Sequence, residues 1–123
     1  MEQTTLAQRI AKILYDKKAL DITVLHVAHL TVITDYMIIA SGRSALQVKA
    51  LADDVDDALA MEGVQLRAKE GANEGRWIVL DYGTVLVHIF HPEDRQFYHL
   101  ERLWEDGQNL VPLPFLDEDA DKA

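Results

Sequence analysis

Residues 76–90 read RWIVLDYGTVLVHIF, two strongly apolar runs on either side of Asp81-Tyr82-Gly83-Thr84. Runs of five or six Val, Ile, Leu and aromatic residues bounded by turn formers are strands. The four residues between them read as a tight hairpin turn, with Gly83 free to take a positive φ. Side chains alternate along a strand. Val85, Val87, Ile89 and His91 therefore face one way, and Leu86, His88 and Phe90 the other. Pro92 closes the second strand. A helical segment follows, with Phe97, Leu100, Leu103 and Trp104 at spacings of three and four.

Upstream, Thr5 and Gln8 have the spacing of a capping box, so the first helix is expected to begin there. Leu6, Ile10, Ile13 and Leu14 form its apolar stripe, and Lys17 and Lys18 stand at the negative end of its dipole. DITVLHV (21–27) and TDYMIIASG (34–42) read as strands. Ser44 with Gln47 repeats the capping box and opens a long helix. Its stripe is Val48, Leu51, Ala52, Val55, Ala58 and Leu59, with Gly63 as its stop. A short strand over 64–69 and the loop EGANEG (70–75) lead back to the hairpin. The order α-β-β-α-β-β-β-α predicts an α/β fold, a single mixed five-stranded sheet with helices packed on it. VPLPFLDEDADKA (111–123) has the look of a poorly ordered tail after the core has ended. The division adopted is one domain over 1–113 and an acidic tail over 114–123.

The 123 residues suit one domain, and 49% hydrophobic against 27% charged residues is an ordinary globular balance. Cysteine is absent, which removes disulfides, thiolate zinc sites and thiol nucleophiles, and makes the cytoplasm the default location. The first eighteen residues lack the apolar core of a signal peptide, and no apolar run is long enough to span a bilayer, so no membrane is expected. The net charge is -9. The final DEDADKA, with four acids and one lysine, contributes -3 of it, which leaves -6 on residues 1–116. Such a chain is a poor ligand for nucleic acid. Its acidity serves solubility, or draws it to a basic partner.

His88, His91, Asp94 and His99 are competent metal ligands, but strand alternation turns His88 and His91 to opposite faces. Ser41 and Ser44 read as a strand end and a helix cap, not as nucleophiles. Asp53, Asp54, Asp56 and Asp57 read as the solvated face of a helix. Neither GxGxxG nor a P-loop occurs. No metal, catalytic residue or cofactor is therefore assigned. The remaining chemistry is that of a docking surface. Trp77, Tyr98 and Trp104 are large amphipathic anchors of the kind that dominate interfaces when exposed and pack cores when buried. Trp104 shares the stripe of Leu100, Tyr98 lies off it, and Trp77 shares a strand face with Val79 and Asp81.

The series DYMIIASGRS (35–44), then EG, then GRWIVLDYGTVLVHIFHPEDRQFYHLERLW (75–104) resembles the ribosomal silencing factor family, also called Iojap-like proteins. The likeness covers about residues 15–113. It implies a fold related to nucleotidyltransferases and a bacterial, cytoplasmic translation repressor that is not an enzyme. Such a factor would bind the large ribosomal subunit through ribosomal protein L-fourteen, block subunit joining and damp translation under nutrient limitation, as in stationary phase. It also implies a homodimer as one assembly. The family-matching positions Trp77, Leu80, His88, Arg95, Tyr98, Glu101 and Trp104 are the expected protein-binding set, with no sequence-specific contact to nucleic acid. Two other readings stay open. One is a nucleotidyltransferase-like enzyme, which would need strand carboxylates where Asp53-Asp54 falls in a predicted helix. The other is a homodimeric scaffold for another basic protein.

Overall fold

The computed structural model describes residues 3–71 and 74–116. The chain is α/β: α1 (Gln3–Asp16), β1 (Leu20–His26), β2 (Tyr36–Ser41), α2 (Ala45–Met61), β3 (Ala68–Glu70), β4 (Trp77–Asp81), β5 (Val85–Phe90), α3 (Pro92–Tyr98) and α4 (Leu100–Trp104). The five strands make one mixed sheet in the order β1-β2-β5-β4-β3. Only β2 and β5 run parallel, and the other neighbours are antiparallel.

The hairpin sets this topology. Asp81 is paired with Leu86 and Trp77 with Phe90. Gly83 holds φ +86° in the turn. Its N–H donates to Asp81 Oδ1 at 2.7 Å, and Tyr82 N–H donates to Val85 O at 3.0 Å. The polar side chain thus supplies the acceptor that the turn backbone lacks.

One face of the sheet carries Val24, Ile38, Ala40, Ile78, Leu80, Val85, Val87 and Ile89 beneath α1 and α2. All six α1 residues from Leu6 to Leu14 that point at the sheet are at most 6% exposed, and the α2 stripe Val48, Leu51, Ala52, Val55 and Leu59 at most 1%. Burial of this kind, at about 25 cal/mol per Å² of apolar surface, is what holds the layers together. The Ser44 hydroxyl accepts from Gln47 N–H at 3.1 Å, and the Gln47 amide oxygen returns to Arg43 N–H. At the other end Gly63 takes φ +82° while its N–H and that of Val64 close on Ala60 O and Leu59 O. Both ends of α2 are therefore capped as their local sequence demands.

Three expectations change. Helix α1 is already formed at Gln3, so Thr5 lies inside it and no cap is built there. The Gln8 amide instead donates to Pro112 O at 3.3 Å. The final helical segment is divided at His99, whose φ of +48° separates α3 from α4. The expected loss of core at Val111 does not occur: Val111 and Leu113 are 9% and 7% exposed. They belong to a strap along the outer edge of β1. In it His26 N–H donates to Asn109 O and Val111 N–H to Val24 O, both at 2.8 Å. Phe115, beyond the boundary at 113, stacks against Tyr15 with ring centres 4.8 Å apart. An exposed strand edge must be covered or paired, and the strap covers this one. Residues 117–123, the acidic end of the expected tail, lie outside the described residues.

If the strap is part of the core, Leu113→Ala lowers stability by about 2–3 kcal/mol. The measurement is urea unfolding, with a lower midpoint at an unchanged slope. A curve superimposable on the parent would mean that residues 109–116 do not pack.

Candidate protein-docking face

The second face of the sheet has less to cover it. Leu25, Val27, Met37, Ile39 and Phe90 meet Leu100 of α4 in a smaller cluster, with Trp77 and Trp104 packed at its margin. Helices α3 and α4 are seven and five residues long. They leave Val79 and Leu86 only half-buried, and Tyr98 and Leu103 stand 50% and 73% exposed. The sheet is thus fully roofed on one side and partly roofed on the other.

Trp77 is the centre of the open part. As the first residue of β4 it lies opposite Phe90 and stacks on it with centroids 4.8 Å apart at 26°. Tyr98, the last residue of α3, leans on its other side at 5.1 Å and 41°. Its indole N–H donates to His88 Nδ1 at 3.0 Å. Offset and tilted rings of this kind fix one another's orientation, so Trp77 is held in a single pose while part of its surface remains accessible.

His88 is 7% exposed. Burial pushes its pKa down to about 4, so the ring is neutral at pH 7. Because Nδ1 accepts the indole proton, the imidazole hydrogen must sit on Nε2, which has no hydrogen-bond partner among the described residues. The ring orients Trp77 from beneath. It does not present itself to a partner.

Arg95 is likewise turned inward. Its side chain is 11% exposed, with Nε 3.4 Å from Glu101 Oε1. Its Nη1 and Nη2 donate to Ser41 Oγ and Thr23 Oγ1 at 3.2 and 3.4 Å. This guanidinium ties α3 and α4 to β1 and β2, and Glu101 is its counter-charge. Leu80 departs furthest from the expected set: it is fully buried on the opposite face, under the helices. The register explains why, since Leu80 alternates with Trp77, Val79 and Asp81 along β4. Of the seven expected residues, six gather on one face. Among those six, Trp77 and Tyr98 form its accessible centre, Trp104 packs half-buried at its margin, and His88, Arg95 and Glu101 support it from within.

The sequence reading missed Arg76. Its guanidinium grips Asp94 through Nε at 3.1 Å and Nη2 at 2.6 Å, and reaches Glu93 at 3.1 Å. These carboxylates raise its pKa further. The pair closes one wall of an open groove lined by Lys69, Gly71, Glu74, Arg76, Trp77, Asp94 and Tyr98. Its only signal in the sequence was a lone Arg before the strand and two acids after Pro92. Leu103 was also misplaced. The break at His99 rotates α4 relative to α3, so Leu100 is buried and Leu103 points outward.

The histidines of 88–99 have separate tasks. His91 caps α3 by accepting Glu93 N–H at 3.3 Å, and His99 makes the bend between the helices. Among the described residues no group of three or more His, Asp or Glu is placed to hold a metal ion. Asp53 and Asp54 lie in α2, where Asp53 pairs with Lys69 at 3.0 Å.

Fold and face together define a small α/β domain whose mixed sheet keeps one face partly open around a fixed aromatic cluster. A family model described as "Ribosomal silencing factor during starvation" matches residues 1–123. "Ribosomal silencing factor RsfS" of Bacillus subtilis (strain 168) is 38% identical over 117 residues, 95% of this chain and 96% of that one. "Protein Iojap, chloroplastic" of Arabidopsis thaliana is 35% identical over 95% of this chain and 48% of its own length. A crystal structure of a Chromobacterium violaceum protein superposes with TM-score 0.83 at 36% identity, covering 92% of this chain and 96% of that one. The chain belongs to the ribosomal silencing factor family. No helix among the described residues is long and apolar enough to cross a membrane.

The His88 assignment has a pH signature. A histidine whose folded pKa lies below its unfolded value costs nothing above pH 6.5. It destabilises the fold progressively as pH falls from 6.5 towards 4, because the unfolded chain takes up the proton first. The full cost is about 3 kcal/mol for the displacement from 6.5 to about 4. His88→Asn keeps an acceptor for the indole and removes the titration. Denaturant midpoints at pH 7 and pH 4 are therefore expected to separate more in the parent than in this variant, and equal separations would reject a buried neutral His88.

Proposed function

We propose that this protein is a translation repressor that binds the large ribosomal subunit through ribosomal protein L-fourteen, using the face around Trp77 and Tyr98. Bound there, it sterically prevents the small subunit from joining, and so damps translation when nutrients are limiting. It acts in the cytoplasm by occupancy and not by catalysis. The observation that carries this reading is the half-roofed sheet face. Its aromatic centre is held rigid by Phe90 and His88, yet Tyr98 stays 50% exposed.

A preoriented aromatic centre loses little side-chain freedom on docking, which is how a modest surface reaches useful affinity. The net charge of -9 complements a basic ribosomal protein and speeds encounter with it. The surrounding carboxylates penalise partners of the wrong sign. The same face can meet a second copy of the chain, in which case dimer formation and subunit binding compete for Trp77.

The deciding experiment is sedimentation of purified subunits in joining buffer with and without the protein. The expected result is protein migrating with large subunits and fewer joined ribosomes. Migration with small subunits, or undisturbed joining, would defeat the proposal. Tyr98→Ala is expected to weaken large-subunit binding by about tenfold or more while leaving the melting transition cooperative. A loss of cooperative melting would instead place Tyr98 in the core.

A further inference from the structure

The cations of this acidic chain are unevenly used. Arg9, Lys12, Lys69, Arg76 and Arg95 are each committed to a carboxylate. Lys17, Lys18, Arg43, Lys49, Arg67 and Arg102 take part in none of the ion pairs among the described residues. Lys17 and Lys18 come from the turn after α1 and Arg43 from the β2–α2 junction, and the fold brings these three together, while Lys49 faces Gly75 and Asp53 from another side of α2. Arg43 Nη1 donates to Lys18 O at 3.0 Å, and the Gln47 amide donates to the same oxygen at 3.3 Å. Lys18 holds φ +71°, which turns the chain so that consecutive lysines stand at the corner. Lys17, Lys18 and Arg43 are exposed, and Lys49 is half-buried. Of the acids flanking this turn, Asp16 is occupied by Lys12 at 2.8 Å and Asp21 stands exposed in β1.

The position of this cluster matters as much as its sign. Leu20 pairs with Ser41, and Trp77 and Ser41 both pair with Phe90. The basic corner and the aromatic docking face therefore share one end of the sheet, on opposite sides of it.

We propose that Lys17, Lys18 and Arg43 form a phosphate-contacting border that rests on the RNA backbone next to the docked ribosomal protein. The inference rests on the ribosomal reading above and deepens it. A ribosomal protein is bordered by RNA, and a body of charge -9 brought beside phosphates is repelled unless its adjacent edge is locally positive. Unpaired cations from two separate elements suit spaced phosphates, and such contacts position a protein without reading sequence. The expectation of no sequence-specific nucleic-acid contact is unchanged by this border.

The test uses the full chain and the triple variant Lys17→Gln, Lys18→Asn, Arg43→Gln. Asparagine is chosen at 18 because it tolerates positive φ. Affinity for large subunits is measured across a salt series. The logarithmic salt slope is expected to fall in magnitude by about 2–3, with about tenfold weaker binding near physiological salt. Tyr98→Ala should weaken binding at an unchanged slope, so the two surfaces separate. If the triple variant melts early, Lys17→Gln alone replaces it, with an expected slope change of about 1. A slope equal to the parent's overturns the border. A second arm is independent of subunits: anisotropy of a labelled RNA duplex at low salt, with polyglutamate as competitor. Weaker duplex binding by the variant supports the border. Duplex binding equal to the parent's, or stronger binding of the parent to polyglutamate than to RNA, overturns it. If the parent does not bind large subunits at all, the docking reading fails, while the duplex arm still decides the phosphate border.

Discussion

Everything in this molecule depends on the parallel pair β2–β5. All six residues of β2 are buried, and five of the six in β5. A strand buried on both sides needs cover above and below the sheet, and a parallel pair needs a crossover long enough to return the chain to the same end. The chain from α2 to β4 supplies the crossover, and α2 with α1 supplies the first layer. The second layer must come from the residues after Phe90, which yield two short helices and a strap. That is enough to seal Leu25, Ile39 and Phe90, but Trp77 and its neighbours on β4 are only partly sealed. The proposed docking face is the unfinished part of the second core.

Its support is polar where a simple core would be apolar. A neutral imidazole under the indole and an arginine laced to Ser41, Thr23 and Glu101 fix the aromatic rings and the short helices by direction as well as by contact. Helices of seven and five residues have little intrinsic stability in water, so tertiary anchors of this kind decide whether they form. A rigid anchor platform costs less entropy on binding than a mobile one. The arrangement of charge follows the same division. Arg76 and Arg95 are consumed holding the face together, whereas Lys17, Lys18 and Arg43 stand outside the ion pairs at the same end of the sheet, on its other side.

The local signals in the chain translated directly. Gly83 and Asp81 made the hairpin turn, Ser44 and Gln47 capped α2, Gly63 ended it, and strand alternation separated the two faces of β5. Each depends on neighbours within a few residues, so sequence spacing contains the whole argument. Alternation also told against Leu80, which lies on the other side of β4 from Trp77; family likeness had placed it in the docking set, and geometry removed it.

Sequence alone therefore determined the elements as far as Phe90, their order, the apolar faces of α1 and α2, and the candidate residues around Trp77 and Tyr98. Only the tertiary structure decided which of those residues point outward. Arg95 turns in because Ser41 and Thr23, more than fifty residues away, offer acceptors. Leu103 turns out because His99 breaks the helix, and Val111 and Leu113 pack because β1 has a bare edge. Exposure is a property of what else reaches the same place, and the partners that settle it here are distant in the chain and carry no mark in the local pattern.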